Sequence, residues 1–351
     1  MVSLHVFDGK TGAHVSRLSW TSLSWSDSIN EAGSISAAVE DPGFPIRCYG
    51  HILAALDGSD VLHAGYVVKA TEDRSAGTVS VDGGGGLTIL DKRLVLNRLL
   101  KTQWRDGTVL IDEDNPPGAW VLELSGSYRD IVRGLISETM QWGVLPVSLP
   151  EVQGGSHERT YNCWDLATVS SRIADIGDLE DGPEIRLDPE LDGDWNLSFA
   201  LRAEEEIVDS HWAWNSNLPG QELSPGSVDY DGASMATQSF GTGGKNDDTL
   251  IVAHAVGGSL EADGWPVLQV ANTSHTTISE VSTLKGYVAA DVAAGDSPQE
   301  SRSLACPIAL RVHVGDWAEL RDEAGVGSYK VTDVSGDAAK GRLTVSLRPR
   351  G

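Results

Sequence analysis

The sequence predicts a β-rich α+β chain, and three observations carry that prediction. Short alternating runs separated by Gly and Asp turn signals fill the first hundred residues. A sustained helical period occupies the middle of the chain. Alternating runs return at the C-terminal end. The 351 residues are 40% hydrophobic and 22% charged, a globular balance long enough for two or three cores.

The elements follow in order. Leu4, Val6 and Phe7 start a strand that runs into an Asp8-Gly9 turn. Ser16–Trp25 is rich in Ser, Thr and Trp, with Leu18, Trp20, Leu23 and Trp25 as apolar positions. Ser34–Val39 alternates through Ile35, Ala37 and Val39. Ile52–Leu56 and Val61–Val68 flank Asp57-Gly58 as a hairpin. Thr78–Val81 is a strand expected to end in a flexible turn at Gly83–Gly86. Short strands at this spacing suggest a barrel or sandwich.

Tyr128, Ile131, Val132, Leu135, Ile136 and Met140 recur on one helical face, with Ser127 as the N-cap and Gly143 and Pro146 as the stop. A second helix is expected from Asn162 or Asp165, with Leu166, Val169 and Ile173 on one face and Gly177 as its end. Ile185–Leu187, Trp195–Leu201 and Leu250–Val256 read as strands. Thr277 to Glu280 has a capping-box pattern before a helix through Val281, Tyr287, Val288 and Val292, and 295–303 reads as a polar linker. Trp317–Leu320, Tyr329–Val334 and Leu343–Leu347 are the last strands, the latter two a hairpin around Ser335–Gly341. The expected organisation is a β-barrel over 1–98, an α+β region over 99–235 with helices near 127–141 and 163–176, and a second α+β region over 236–303 with a helix near 278–294. Strands over 304–351 then complete a barrel begun earlier, because so short a tail cannot bury a core of its own.

No catalytic signature emerges, and no catalytic, cofactor or metal residue is assigned. Gly241 to Lys245 approaches a phosphate loop, but Ser239 stands at the first glycine position and Asn246 at the hydroxyl position. The glycines at 83–86 do not form the dinucleotide pattern at a helix start. Nine histidines are scattered without metal spacing, and His157-Glu158 reads as a solvated pair in a loop. Asp112-Glu113-Asp114-Asn115 lacks EF-hand spacing and reads as a charged loop. Cys48, Cys163 and Cys306 read as reduced thiols. Asn196 and Asn272 begin glycosylation sequons that read as chance matches without a signal peptide. The first residues lack such a peptide and no apolar run spans a bilayer, so the expected compartment is cytoplasmic.

Charge narrows the partners. With 26 basic and 51 acidic residues the formal charge is −25, and no basic run offers a nucleic-acid footprint. The acidic residues are spread along the chain, as on a solvated surface. Eleven tryptophans accompany four phenylalanines. Core or interface packing explains them first, sugar binding second.

Several stretches in order resemble the minor tail, or tail-hub, proteins of long-tailed bacteriophages, especially the actinobacterial-phage type. Leu18-Ser-Trp20, Ser24-Trp25-Ser26-Asp27 and Asn30-Glu-Ala-Gly33-Ser34 are similar to the family's opening. Asp57-Gly58, Ala64-Gly65-Tyr66-Val67 and Val81-Asp-Gly83 through Leu90 and Arg93 follow. The helix at Tyr128–Met140 and the stretch from Tyr161 through Asp165-Leu166 and Ile173 to Gly182-Pro183-Glu184-Ile185-Arg186 continue it. So do Gly241-Thr-Gly-Gly, Gly264-Trp-Pro266-Val-Leu268, Val314-Gly315-Asp316-Trp317, Tyr329-Lys-Val331 and Leu343-Thr-Val345-Ser-Leu347.

The resemblance implies two tail-tube-like β-barrels with helix-containing α+β decorations. It also implies a homotrimeric ring in the virion tail tip, made in the host cytoplasm. Such a ring contacts the tail tube, distal tail proteins and other baseplate proteins, and lets DNA pass without sticking. It implies no enzyme, no cofactor and no membrane insertion. The chain closes directly after its last strands, which leaves no appended lytic domain in the expectation. The competing readings are a receptor- or glycan-binding tail protein using exposed Trp212 and Trp214, a tail-tip cell-wall hydrolase, and the hub of a contractile injection system.

Overall fold

The computed structural model describes residues 1–103, 111, 118–179, 182–218, 222–246, 249–273, 281–323 and 325–350. The sequence patterns at 112–115 and 277–280 lie outside the described residues. The chain is β-rich α+β and divides into two compact units. The first unit comprises Met1–Pro225 and Leu304–Leu347; the second comprises Gly226–Ser303 and the residues from Arg348 onwards.

The first unit opens with seven strands: β1 (Val2–Asp8), β2 (His14–Leu18), β3 (Trp20–Ser28), β4 (Ser34–Glu40), β5 (His51–Asp57), β6 (Asp60–Asp73) and β7 (Thr78–Gly85). They pair in the order β3-β4-β7-β6-β5-β1-β2. Strand β5 is buried on both faces, which is why Ile52–Leu56 is a continuous apolar run rather than an alternating one. Its odd positions Leu53 and Ala55 enter one core, and its even positions Ile52, Ala54 and Leu56 enter another. The glycines at 83–85 do not form the expected flexible turn; they belong to β7. A Cβ on Gly83 would lie 2.7 Å from the Tyr66 carbonyl oxygen, and one on Gly85 only 1.9 Å from that of Ala32. These glycines are therefore required by close backbone approach inside the sheet.

An α+β layer covers the second face. It contains β8 (Val121–Gly126), α1 (Tyr128–Trp142), β9 (Val147–Ser148), β10 (His157–Asn162), α2 (Val169–Gly177), β11 (Glu184–Leu191) and β12 (Leu197–Glu204). Ile131, Val132, Leu135 and Ile136 of α1 are buried against Phe7, Tyr66, Phe199 and Ile173 in one core cluster. Ser127 accepts from the Asp130 amide at 3.2 Å, and the Asp130 carboxylate accepts from the Ser127 amide at 3.2 Å, closing a capping box. Ser127→Ala should lower stability by about 1 kcal/mol in a urea titration; a change under about 0.3 kcal/mol would show that the cap is dispensable.

Helix α2 starts later than the sequence suggests. Cys163–Asp165 forms a single 3₁₀ turn, and Leu166 adopts a left-handed conformation at φ 51° that breaks any continuous helix. Thr168 then caps α2. Trp195 likewise falls outside the strand expected from it. It sits in the β11–β12 turn at φ 61°, and β12 begins at Leu197.

The chain continues through β13 (His211–Asn215) and leaves the first unit in β14 (Ser224–Asp231). The second unit contains β15 (Gln238–Asn246), β16 (Thr249–Val256), β17 (Gln269–Asn272) and α3 (Val281–Ala294), and the chain returns through β18 (Gln299–Pro307). The residues expected as a polar linker over 295–303 thus include the start of a strand, which lies beside β14. In this unit β15 lies between β16 and β17. Leu284 and Val288 of α3 pack on Ala253, and Gly241 admits the helix because a Cβ there would meet Val288 at 2.7 Å.

Back in the first unit, β19 (Trp317–Asp322), β20 (Gly325–Asp337) and β21 (Arg342–Pro349) extend the N-terminal sheet. Asp333–Asp337 of β20 pair antiparallel with Ser24–Ser28 of β3, while Gly325–Lys330 pair with β19. Strand β13 adds in parallel to β19. Among the described residues the strand path runs open from β18 and β21 to β2, so the pairing does not draw two closed barrels. The reason is β20: one long strand carries hydrogen bonding from the C-terminal strands directly into the N-terminal ones. Leu4, Trp25, Val81, Trp214, Val331 and Val345 consequently share one core.

Candidate functional site

The tryptophan pair on β13 is a structural feature rather than an exposed platform. Trp214 is buried, Trp212 is half-buried, and their rings stack at 5.8 Å. Trp212 Nε1 donates to Asp316 Oδ2 at 2.8 Å. A cleft of about 410 Å³ beside the pair is lined by Leu223, Pro307 and Leu310, with Glu222 as its carboxylate residue. Such a lining has few groups to satisfy a sugar's hydroxyls. The exposed tryptophans Trp164, Trp195 and Trp265 stand on separate elements.

Asp209, His313 and Asp316 bring potential ligand atoms within 4.8 Å of one another. The carboxylates are already engaged. Asp316 accepts from the Ser210 amide at 2.9 Å, the His313 amide at 3.0 Å and the Trp212 indole. Asp209 pairs with Arg202 and with Arg186 at 3.3 Å. Burial opposes ionisation of Asp209, but the two guanidiniums outweigh it and hold its carboxyl below the usual range. This cluster is a strut between β13 and the turn before β19, and its donor set does not suit a cation.

The remaining sequence candidates resolve individually. His157 and Glu158 are on strand β10, not in a loop, because six residue pairs tie β10 to β8; His157 stacks on Tyr128 at 3.9 Å. Gly241–Gly244 lies within strand β15 rather than before a helix, so its amides cannot cradle phosphate. Cys48, Cys163 and Cys306 are free thiols; burial raises Cys163 and pushes Cys306 up to about 11.

One surface stands out in the second unit. The face of β15–β17 opposite α3 presents Phe240, Thr242, Val252, His254 and Val256 beside Gln238 and Gln269, with Phe240 and His254 stacked at 4.3 Å. Val252 and Val256 are 56% and 59% exposed. No carboxylate lies on this face among the described residues, although the chain as a whole carries −25. Exposed Val and Phe side chains gathered on one face, with polar ones beside them, are a feature that interaction surfaces share. Composition alone could not locate it, since the alternation of Leu250–Val256 equally fits a covered strand. Among the described residues no helix is long and apolar enough to cross a membrane.

No protein-family model and no curated protein matches the sequence. Solved structures do match its fold. The 43 kDa tail protein of prophage MuSo2 from Shewanella oneidensis superposes with a TM-score of 0.60 at 12% identity, covering 99% of this chain and 98% of that one. The tail protein from Neisseria meningitidis MC58 gives 0.56 at 11% identity over 100% and 97%. Prophage tail protein gp18 from Listeria monocytogenes EGD-e gives 0.54 at 10% identity over 99% and 94%. The chain therefore shares its fold with these three tail proteins over nearly all of its length.

Proposed function

We propose that this chain is a non-enzymatic structural subunit of a phage tail tip. In this reading it is a hub that assembles as a homotrimeric ring, nucleates the tail tube and forms part of the DNA channel. The observation that carries the reading is the fold similarity to prophage tail proteins over nearly the full length of both chains. In the ring, the two halves of the first unit's sheet, β1–β7 and β19–β21, serve as the tube-like elements. Three chains then match a sixfold tube.

Charge fits the same role. A ring carries about −75, three times the −25 of one chain, and acidic walls repel phosphates, so DNA slides past without binding. Copies of so acidic a chain meet most readily where carboxylates are few, and the open face of β15–β17 presents none among the described residues. Tail-tube, distal tail and baseplate proteins are the further neighbours.

The test is light scattering and negative-stain electron microscopy of the purified chain at high concentration, alone and mixed with its tail-tube protein. Threefold rings with an open channel are expected. A monomer under both conditions would overturn the ring, and a basic lumen would overturn the charge argument. Val252→Asp should abolish rings while leaving the thermal melt unchanged; rings that persist in this variant would place the contact elsewhere.

A further inference from the structure

Asp27 lies on β3, where that strand meets β20 and faces β11. Its carboxylate accepts from the neighbouring Ser28 amide and is approached by Arg186. A Cβ on Gly33 would lie 3.1 Å from Asp27 Oδ1 and 3.1 Å from His63 Cε1, so the carboxylate and the imidazole flank the same glycine. Arg186 approaches from β11, but four of its five N–H donors are already committed. Nε and Nη2 grip Asp188 at 2.7 and 2.8 Å, Nη2 also reaches Asp209, and Nη1 donates to the Val314 carbonyl. Asp188 and Asp333 add like charge from β11 and β20, and Glu31 adds another from the turn after β3.

Two small cavities adjoin Asp27. One, about 20 Å³, is also lined by His63, Glu31 and Arg186; the other, about 30 Å³, by Arg311, His313 and Trp25. One lining residue of each carries a buried polar atom without a protein partner: His63 Nε2 at the first, Arg311 Nη1 at the second. Each is large enough for one water. Arg311 Nη2 is held by Asp57 at 2.7 Å, which fixes the guanidinium beside its cavity.

We infer that Asp27 is a proton-binding pin: in its protonated form it bridges the two polar cavities and joins β3 to β11 and β20, and its ionisation loosens that junction. Protonation supplies a hydrogen-bond donor and removes a charge facing Asp188, Asp333 and Glu31. Burial, with Arg186 and the Ser28 amide only partly opposing it, pushes the carboxyl up to about 7. His63 is driven by burial down to about 4, so it stays neutral and can accept. The sign follows. A carboxyl raised in the folded state stabilises fully below its unfolded value, and that stability is lost as pH rises through about 7.

The test compares the full-length protein with Asp27→Asn by urea unfolding across pH. Between about pH 5.5 and pH 8 the folding constant of the native protein should fall about thirty-fold relative to the variant, tenfold for each pH unit up to the folded value. Comparison with the variant cancels the histidines, whose contributions run the opposite way. Equal pH slopes would overturn the inference. If Asp27→Asn fails to fold, infrared difference spectra of the native protein decide. A protonated-carboxyl band that vanishes between about pH 6 and pH 8 supports the pin. Its absence overturns it. Asp188→Asn should move that transition downwards by removing one like charge.

Discussion

Asp316→Ala should lower the unfolding free energy by about 4 kcal/mol, because it strands three donors at once. Asp316 is fully buried at the turn before β19. Its two carboxylate oxygens accept from the Ser210 amide, the His313 amide and the Trp212 indole. No other described group accepts from that indole. Losing one charged acceptor that serves several buried donors costs more than a single hydrogen bond. Asp316→Asn keeps the shape and one acceptor oxygen, so it should lose about half as much. Urea titrations with unchanged slopes would measure both. A loss below about 1 kcal/mol in the alanine variant would mean that the donors find other partners. Since this strut joins β13 to β19, the alanine variant should also expose Trp214, visible as a red-shifted fluorescence.

Phe199→Ala should cost about 3–5 kcal/mol, the range for deleting a buried aromatic side chain. Phe199 on β12 is fully buried and stacks on Tyr66 of β6 at 5.9 Å. It also fills the space that Gly86 leaves, since a Cβ there would approach its ring at 2.7 Å. The ring is therefore a principal contact between the α+β layer and the sheet. Phe199→Leu should recover more than half of the loss by refilling the volume. Limited proteolysis should cut the alanine variant first within the α+β layer, while β1–β7 stay protected. Uniform cleavage throughout the unit would show that the layer does not loosen separately.

Some of this was legible locally. Helix α1 needed only its apolar period and the Ser127 cap, because both act within one segment. The central β5 and the hairpin through Asp57-Gly58 were marked by an apolar run and a turn, again local signals. Other features misled for a physical reason. Gly83–Gly85 read as a turn because glycine permits one, yet here it permits contact with the Tyr66 and Ala32 backbones. The Trp212–Trp214 pair offered a sugar platform on paper. Burial beneath β19's neighbours and a bond to Asp316, about a hundred residues away, removed it.

The sequence by itself determined the β-rich class, the acidic surface, the position of the first long helix and the lack of any catalytic pattern, since composition and short periods suffice for each. Only the tertiary structure decided that β20 pairs with β3, that one face of β15–β17 stays open, and that Asp27 meets Arg186 and His63. Those depend on which distant segments close on one another, and a pairing across some three hundred residues leaves no period in the chain that forms it.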